Sequence, residues 1–298
     1  MKEFYITKKY TDKQMENMAN TFVSRSKIDH IIDENVDIYS DDGKLLAKFR
    51  KNVLSKNVLN QFYDATYNFT LKAITANRGS ATGSEQKNLS ENPRVHSAIL
   101  GYFNRWAPKQ KIAFRNAGIR APLEVRETRF SMEHPEQFKE TFPLLRQINK
   151  KYKSLLPSYF QKQNKKAKST LFKIPQTAFT TITTNINFQT AIHKDSGDDE
   201  EGFGNLVVIE RGSYDGGETC LPQYGIGINV RQGDILFMDV HEWHGNLPIV
   251  KKNKDAVRLS VVCYLRTKVW DRTKRMTFKK KKKHLNTLRR IKTQKDKK

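Results

Sequence analysis

His193 and Asp195 form an H-x-D pair, His244 follows 51 residues after His193, and Arg258 lies 14 residues further on. Two imidazoles and one carboxylate on one face of a non-heme iron leave coordination positions open for a co-substrate and oxygen. An arginine buried near that face is a natural clamp for a dicarboxylate, because its planar fork pairs bidentately with a carboxylate. The chemistry predicted from these four residues is oxygenation that depends on iron(II) and uses 2-oxoglutarate and O2 as co-substrates. The H-x-D pair alone is a weak signal. The chain has seven histidines and 31 acids, and His134-Pro135-Glu136 fits the same pattern. That second pair is set aside because a helix-opening signal, not a strand, follows it.

The elements around the first pair give it weight. Residues 179–188 are Thr-rich and β-branched, which predicts a strand. On a period of two, Asn185, Asn187, Ala191, His193 and Asp195 share a polar face, while Ile182, Ile186 and Phe188 share the other. Asn185 and Asn187 are therefore expected as supporting groups behind the co-substrate. Residues 204–210, 224–230, 235–240 and 258–265 also read as short strands. Turn signals separate several of them, at Asp215-Gly216-Gly217 and at Arg231-Gln232-Gly233-Asp234. Even spacing of short strands argues for a sandwich or jelly roll. Strand ends at one mouth would then bring His193, Asp195 and His244 together.

The runs HKDSGD, GGETCLPQYG, RQGDILFMD, HGNLP and RLSVVCY resemble the TET/JBP family of nucleic-acid-modifying dioxygenases, most closely its compact forms. The resemblance covers residues 170–266 well. Upstream, VDIYSDDGKLLAKFRKNVL, NRGSATG and ILGYFNRWAP are similar to compact members more loosely. It implies an α+β protein with a double-stranded β-helix (jelly roll) core. It further implies that His193, Asp195 and His244 (four residues before Pro248) bind iron, and that Arg258 and Ser260 hold the distal carboxylate of 2-oxoglutarate. His241 also follows the 235–240 strand. His244 is preferred because it precedes Gly245 and has the family's spacing to Pro248 and Arg258, which leaves His241 behind the ligands or partly exposed. Asp198 fills the slot, five residues after the first His, whose side chain touches the target base in the family. A carboxylate there accepts from a cytosine amine. Arg266 stands where well-known members place a base-contacting His, and Tyr264 shares its strand face. That departure leaves 5-methylcytosine and thymine both open as targets, with 5-methylcytosine in DNA the first expectation. The target base must be flipped out or single-stranded to reach a recessed iron.

Charge agrees with a polyanionic partner. The formal net charge is +24 over 298 residues. Residues 272–298 hold 14 Lys or Arg against one Asp, which leaves +11 on the rest. A basic body and tail suit nucleic acid, double-stranded DNA first. For the run at 279–283 alone, a merely solvated tail is an equal reading. Arg78, Lys165 and Lys166 are weaker candidates for phosphate contacts. The chain has no apolar run long enough to span a bilayer and no signal-peptide pattern at its start. Its two cysteines, Cys220 and Cys263, make no disulfide framework. A monomer in a reducing intracellular compartment is expected, the nucleus if the source is eukaryotic.

The predicted organisation is a mostly helical region at 1–168, an oxygenase core at 169–271 and a basic tail at 272–298. Within the first region we expect a helix at 11–22, a hairpin at 35–50 turning at Asp42-Gly43, a helix at 52–74, a loop at 77–92 and a helix from Ser90 to Trp106. Residues 120–131 read as strand-like. A helix with Leu145, Ile148, Tyr152, Leu155 and Leu156 on one stripe is broken or restarted at Pro157, and residues 161–168 read as a basic loop. Two rival functions fit the same residues: a 2-oxoglutarate-dependent protein hydroxylase, and a non-catalytic basic DNA-binding protein on a jelly-roll scaffold.

Overall fold

The computed structural model describes residues 2–76, 78–84, 91–105, 116 and 123–293. Strands β1 (Lys2–Ile6), β2 (His30–Ile32), β3 (Val36–Ser40) and β4 (Leu45–Arg50) open the chain, with helix α1 (Asp12–Met18) inserted after β1. Thr11 starts α1 through a reciprocal cap with Gln14. The hairpin expected at 35–50 is β3 and β4, and the helix expected at 52–74 is α2 (Lys56–Lys72). Next come β5 (Ile74–Thr75), β6 (Val95–Phe103) and β7 (Arg126–Glu127). Four helices follow: α3 (Arg129–Glu133), α4 (Pro135–Glu140), α5 (Phe142–Leu155) and α6 (Pro157–Lys168). The remaining strands are β8 (Thr181–Ile186), β9 (Gly204–Arg211), β10 (Tyr214–Gly216), β11 (Thr219–Leu221), β12 (Ile226–Ile228), β13 (Ile235–Met238), β14 (Gly245–Asn246), β15 (Ile249–Lys251) and β16 (Val257–Tyr264). Helices α7 (Thr267–Thr273) and α8 (Phe278–Thr293) close the described chain.

A large sheet runs in the order β1-β3-β4-β13-β9-β16-β8-β6-β5, with β7 paired to β6. A smaller sheet runs β14-β11-β12-β2, and β10 pairs with β15. The period-2 rule decides what each face of the large sheet does. On β16, Leu259, Val261 and Cys263 join Ile182 and Ile186 of β8 and Val207 and Ile209 of β9 in the main core. Helices α2, α5 and α6 cover that face with Leu59, Phe62, Leu145, Ile148, Tyr152 and Phe160. The alternate residues Arg258, Ser260, Val262 and Tyr264, with Thr183 and Asn185, turn the other way and line a cavity.

Four expectations are corrected. The described residues 91–105 do not form the helix expected from Ser90 to Trp106. Residues 95–103 form β6, which pairs along β8 from His96 to Gly101, and Ser90 and Trp106 lie outside the described residues. The free edge of β8 needs a partner, and that tertiary demand outweighs local helix preference. Residues 126–127 are the only strand found within 123–131, and α3 follows at once. Residues 161–168 are the end of a helix, because Pro157 supplies a ready-made first turn for α6. In the region 1–168 helix exceeds strand, but the hairpin is not its only strand content: the region supplies β1, β3, β4, β5 and β6 to the same large sheet as the downstream strands.

The basic C-terminal segment is largely the helix α8. Its Leu288 and His284 are buried, and Leu285 packs on the cluster of Val125, Phe172 and Val269. Lys281 sits 4.9 Å from the Tyr102 ring and 5.0 Å from the Phe172 ring, and donates to the Leu171 carbonyl at 2.6 Å. Lys279, Lys280, Lys282 and Lys283 stay exposed on the same helix.

Gly101 sets the register of β6 against the start of β8. Its φ is +83°, and a Cβ there would lie 2.5 Å from the Thr180 carbonyl oxygen. Gly101→Ala should therefore lower stability by about 2 kcal/mol or more. A drop in the thermal midpoint checks this, and a midpoint within 1–2 °C of the parent, on a scale where about 1 kcal/mol moves it ~2–4 °C, would contradict it.

Candidate active site

Strand β8 ends at Ile186, two residues short of the expected Phe188. Asn187 takes a positive φ of 48°, so the alternate-face pattern expected through Asp195 stops there. The loop that follows is tied to neighbours by its backbone: Ala191 N–H donates to the Ala81 carbonyl at 3.0 Å and Ile192 N–H to Thr21 at 2.8 Å. Asn246 accepts the Thr190 N–H at 2.7 Å. His193 then meets His244 in an isolated antiparallel bridge, each N–H donating to the other's carbonyl at 2.9 Å. Asp195 N–H donates to the Val240 carbonyl, also at 2.9 Å. Two distant stretches of chain are thus stitched together by main-chain bonds at the point where the three side chains converge.

One ligand atom from each of His193, Asp195 and His244 lies within 4.8 Å of the others. Each imidazole faces a backbone carbonyl with Nδ1: His193 to Ala191 at 2.8 Å, His244 to Glu242 at 2.9 Å. A proton on Nδ1 satisfies those carbonyls and leaves the Nε2 lone pairs free. The Nε2 atoms face Asp195, at 3.5 Å for His193 and 3.9 Å for His244. No lysine or arginine forms an ion pair with that carboxylate among the described residues. Burial and the neighbouring His193 push His244 down to about 4, so it stays neutral near pH 7. Against the cost of burial, the hydrogen bond to Asp195 lifts His193 above its ordinary value. Against the same cost, both imidazoles and Arg78 hold the Asp195 carboxyl well below the usual carboxylate range. A half-buried carboxylate facing two Nε2 atoms is the donor set a divalent metal needs. The residues present fit iron(II).

The triad opens into a cavity of about 530 Å³, with wall residues from both sheets, including Thr219 and Asn246 of the smaller one. Arg258 and Ser260 lie in its wall. Arg258 is 5 % exposed, and its Nε has no hydrogen-bond partner. Gly217, at φ +77°, leaves room for it: a Cβ there would sit 3.0 Å from Arg258 Cδ and Nε. Ser260 Oγ accepts from Asn185 Nδ2 at 3.2 Å, and Asn185 Oδ1 accepts from Ser97 Oγ at 2.7 Å.

At the other end stand Asp198, Tyr264 and Arg266. Arg266 Nε donates to Asn104 at 2.8 Å and Nη1 to the Ser196 carbonyl at 3.2 Å. The guanidinium lies over Phe103 at 5.0 Å and pairs with Asp198 at 3.6 Å. The Tyr264 hydroxyl bonds Thr183 at 3.1 Å.

Several predicted residues stand elsewhere. Asn187 is not in the wall of this cavity; its side chain accepts the Arg258 N–H at 2.8 Å and so fixes the backbone at Arg258 instead. His241 is outside as well, paired with Asp239 at 3.1 Å. Arg78 does not face solvent for a phosphate: it lines the cavity and donates to Ser97 at 2.9 Å and to Asn185 at 3.3 Å. Its distance in sequence from the strands hid it. Lys166 is engaged by Asp199 and by Glu201 at 2.7 Å, which removes it as a free phosphate contact; Lys165 remains exposed on α6. Sequence reading missed Ser97, Phe103 and Asn104, since residues 90–106 were read as a helix, and it passed over Thr183, which shares the cavity face of β8 with Asn185.

Residues 112–267 match the Tet_JBP family, described as the oxygenase domain of the 2OGFeDO superfamily. The chain belongs to the Tet_JBP family. Its superfamily uses iron(II) and 2-oxoglutarate, which agrees with the donor set above. Over 173 residues this Tet_JBP chain is 34% identical to thymine dioxygenase JBP1 of Trypanosoma brucei brucei, covering 57% of this chain and 19% of that protein. Over 165 residues it is 35% identical to the bifunctional helicase and thymine dioxygenase JBP2 of Leishmania braziliensis, covering 55% and 15%. The Tet_JBP chain thus spans less than a fifth of these curated relatives. The fold is similar to that of NgTET1, solved in complex with 5mC DNA, at a TM-score of 0.55 and 14% identity over 89% of this chain and 82% of that one. Among the described residues no helix is long and apolar enough to cross a membrane, and Cys220 and Cys263 are buried and unpaired.

Proposed function

We propose that this Tet_JBP chain hydroxylates the 5-methyl group of a base in DNA, with thymine as the target and 5-hydroxymethyluracil as the product. The observation that carries the choice of base is that curated relatives matching more than half of the chain at 34–35% identity are named thymine dioxygenases. Arg266 agrees with it. Its guanidinium is a donor-only group at the cavity wall, and thymine presents O4 as an acceptor where cytosine presents an amine donor. Asp198, paired to Arg266, then serves to hold that donor. Oxidation of 5-methylcytosine is the second reading, because the Asp198 carboxylate is an acceptor suited to the cytosine amine.

When bound, iron(II) with 2-oxoglutarate and O2 supplies the oxidant that exchanges a methyl C–H for C–OH, leaving succinate and carbon dioxide. In this reading His193, Asp195 and His244 hold the metal. Arg258 and Ser260 hold the distal carboxylate of 2-oxoglutarate, with Asn185 orienting Ser260. Tyr264 and Arg266 face the base, which must leave the duplex stack to enter. The enclosed walls exclude water and fix the methyl group relative to the metal.

The test is incubation with iron(II), 2-oxoglutarate and either unmodified or 5-methylcytosine-containing DNA, then digestion and mass spectrometry. 5-Hydroxymethyluracil from unmodified DNA is expected. 5-Hydroxymethylcytosine alone would move the assignment to the second base, and turnover only on a peptide would move it to a protein hydroxylase.

The exposed lysines of α8 are read as DNA-backbone contacts. Changing Lys279, Lys280, Lys282 and Lys283 together to Gln should make the slope of log affinity against log salt shallower by about 2–4, since each duplex phosphate contact contributes ~0.9. An unchanged slope would remove α8 from the DNA surface.

A further inference from the structure

Arg258 stands directly opposite Glu210 in the antiparallel pairing of β16 with β9. Opposite charges at such positions ordinarily join across the strands. Here they do not: among the described residues Arg258 makes no ion pair, and its Nε is unpartnered. Glu210 is taken up by three other donors. Its Oε1 accepts from the Tyr214 hydroxyl and lies 3.4 Å from Arg231 Nη1, while Oε2 accepts the Gln232 N–H at 2.8 Å. Arg231 is itself fixed. It donates to Asn229 at 2.5 Å and to the Gly216 carbonyl at 3.2 Å, and lies over the Tyr214 ring at 4.8 Å. Glu218 is another carboxylate whose field reaches Arg258, but it too makes no ion pair with it.

We propose that Arg231 and Tyr214 are positioning residues that draw Glu210 away from Arg258 and keep its guanidinium open for the distal carboxylate of the co-substrate. The inference rests on the reading of Arg258 as the 2-oxoglutarate clamp. Without Arg231, the carboxylate across the strand becomes a tethered competitor for the same fork. A tethered group acts at a high effective concentration, so even a mediocre pairing would displace much of the incoming ligand. The arrangement also explains how a buried arginine remains unpaired beside an acidic residue of its own sheet.

The test is calorimetric titration of 2-oxoglutarate into the full chain loaded with manganese(II), alongside steady-state kinetics. Arg231→Gln should weaken 2-oxoglutarate binding by about tenfold or more, the scale of one charge-assisted hydrogen bond. It should raise KM for 2-oxoglutarate more than it lowers kcat. Adding Glu210→Gln to that variant should return the affinity to within about threefold of the parent, whereas adding Glu218→Gln should not. Arg231→Lys, which keeps a cation, should behave like the parent. Tyr214→Phe removes only the hydroxyl donor and should weaken binding by a few-fold, so it carries the test if Arg231→Gln does not fold. Unchanged affinity in Arg231→Gln, or a double variant as weak as the single one, overturns the proposal. If Arg258→Gln binds 2-oxoglutarate as the parent does, the clamp reading fails first, a result distinct from either of these.

Discussion

His193→Ala and Asp195→Ala are each expected to lower turnover by about 10³-fold or more, with DNA affinity within about twofold of the parent. The three ligands act as a unit, so losing one removes the centre rather than a third of it. The two removals differ physically. Without Asp195 the site loses its only anionic donor, and two neutral imidazoles hold a divalent ion poorly. Without His193 the carboxylate loses the hydrogen bond that most strongly opposes its burial cost. On the proposed reading DNA affinity should survive, because exposed cations away from the triad would supply the phosphate contacts. The readouts are iron content, succinate formation and a salt-dependent binding isotherm. Parent-like turnover in either variant would remove these residues from the metal. The same substitution at His241, which is paired with Asp239 outside the cavity, should cost far less.

Arg258→Gln is expected to raise the 2-oxoglutarate concentration needed for half-maximal activity by about 10²-fold or more. Truncating one partner of a buried charge pair costs ~2–5 kcal/mol, and every ~1.4 kcal/mol is tenfold. The size of the effect follows from the surroundings. Arg258 is nearly fully buried, its Nε is unsatisfied in the free chain, and its burial disfavours the cation. A dicarboxylate therefore relieves an existing deficit as well as forming a new contact. Arg258→Lys should recover only part of the loss, since an ammonium does not reproduce the two-pronged geometry. A half-saturation within threefold of the parent would show that the distal carboxylate is held elsewhere.

The triad and Arg258 could be read from sequence because their side-chain types are rare in combination and their spacing matches short strands. The main helices and hairpin could be read for a similar reason: α2 and α5 carry an apolar stripe at helical spacing, and Asp42-Gly43 marks the turn. The errors have physical causes. Residues 95–103 carry enough Ala, Ile and Leu to suit either structure, and only the edge of β8 decides for a strand. The period-2 alternation does not run through to Asp195, because Asn187 turns the chain out of the strand. Arg78 looked like a surface cation because nothing local tells a side chain on a loop that it will be enclosed. Lys166 looked free because its partners Asp199 and Glu201 lie more than 30 residues downstream.

The paired N–H to carbonyl bonds between His193 and His244 carry a consequence for how such a protein changes over time. Those bonds belong to the main chain, so they are indifferent to which side chains line the rest of the chamber. Replacements at the positions of Asp198, Tyr264 or Arg266 can reshape what the chamber admits while the spacing of the two imidazoles is kept by the polymer itself. Substrate preference is thereby free to drift one residue at a time on a redox centre that does not have to be rebuilt.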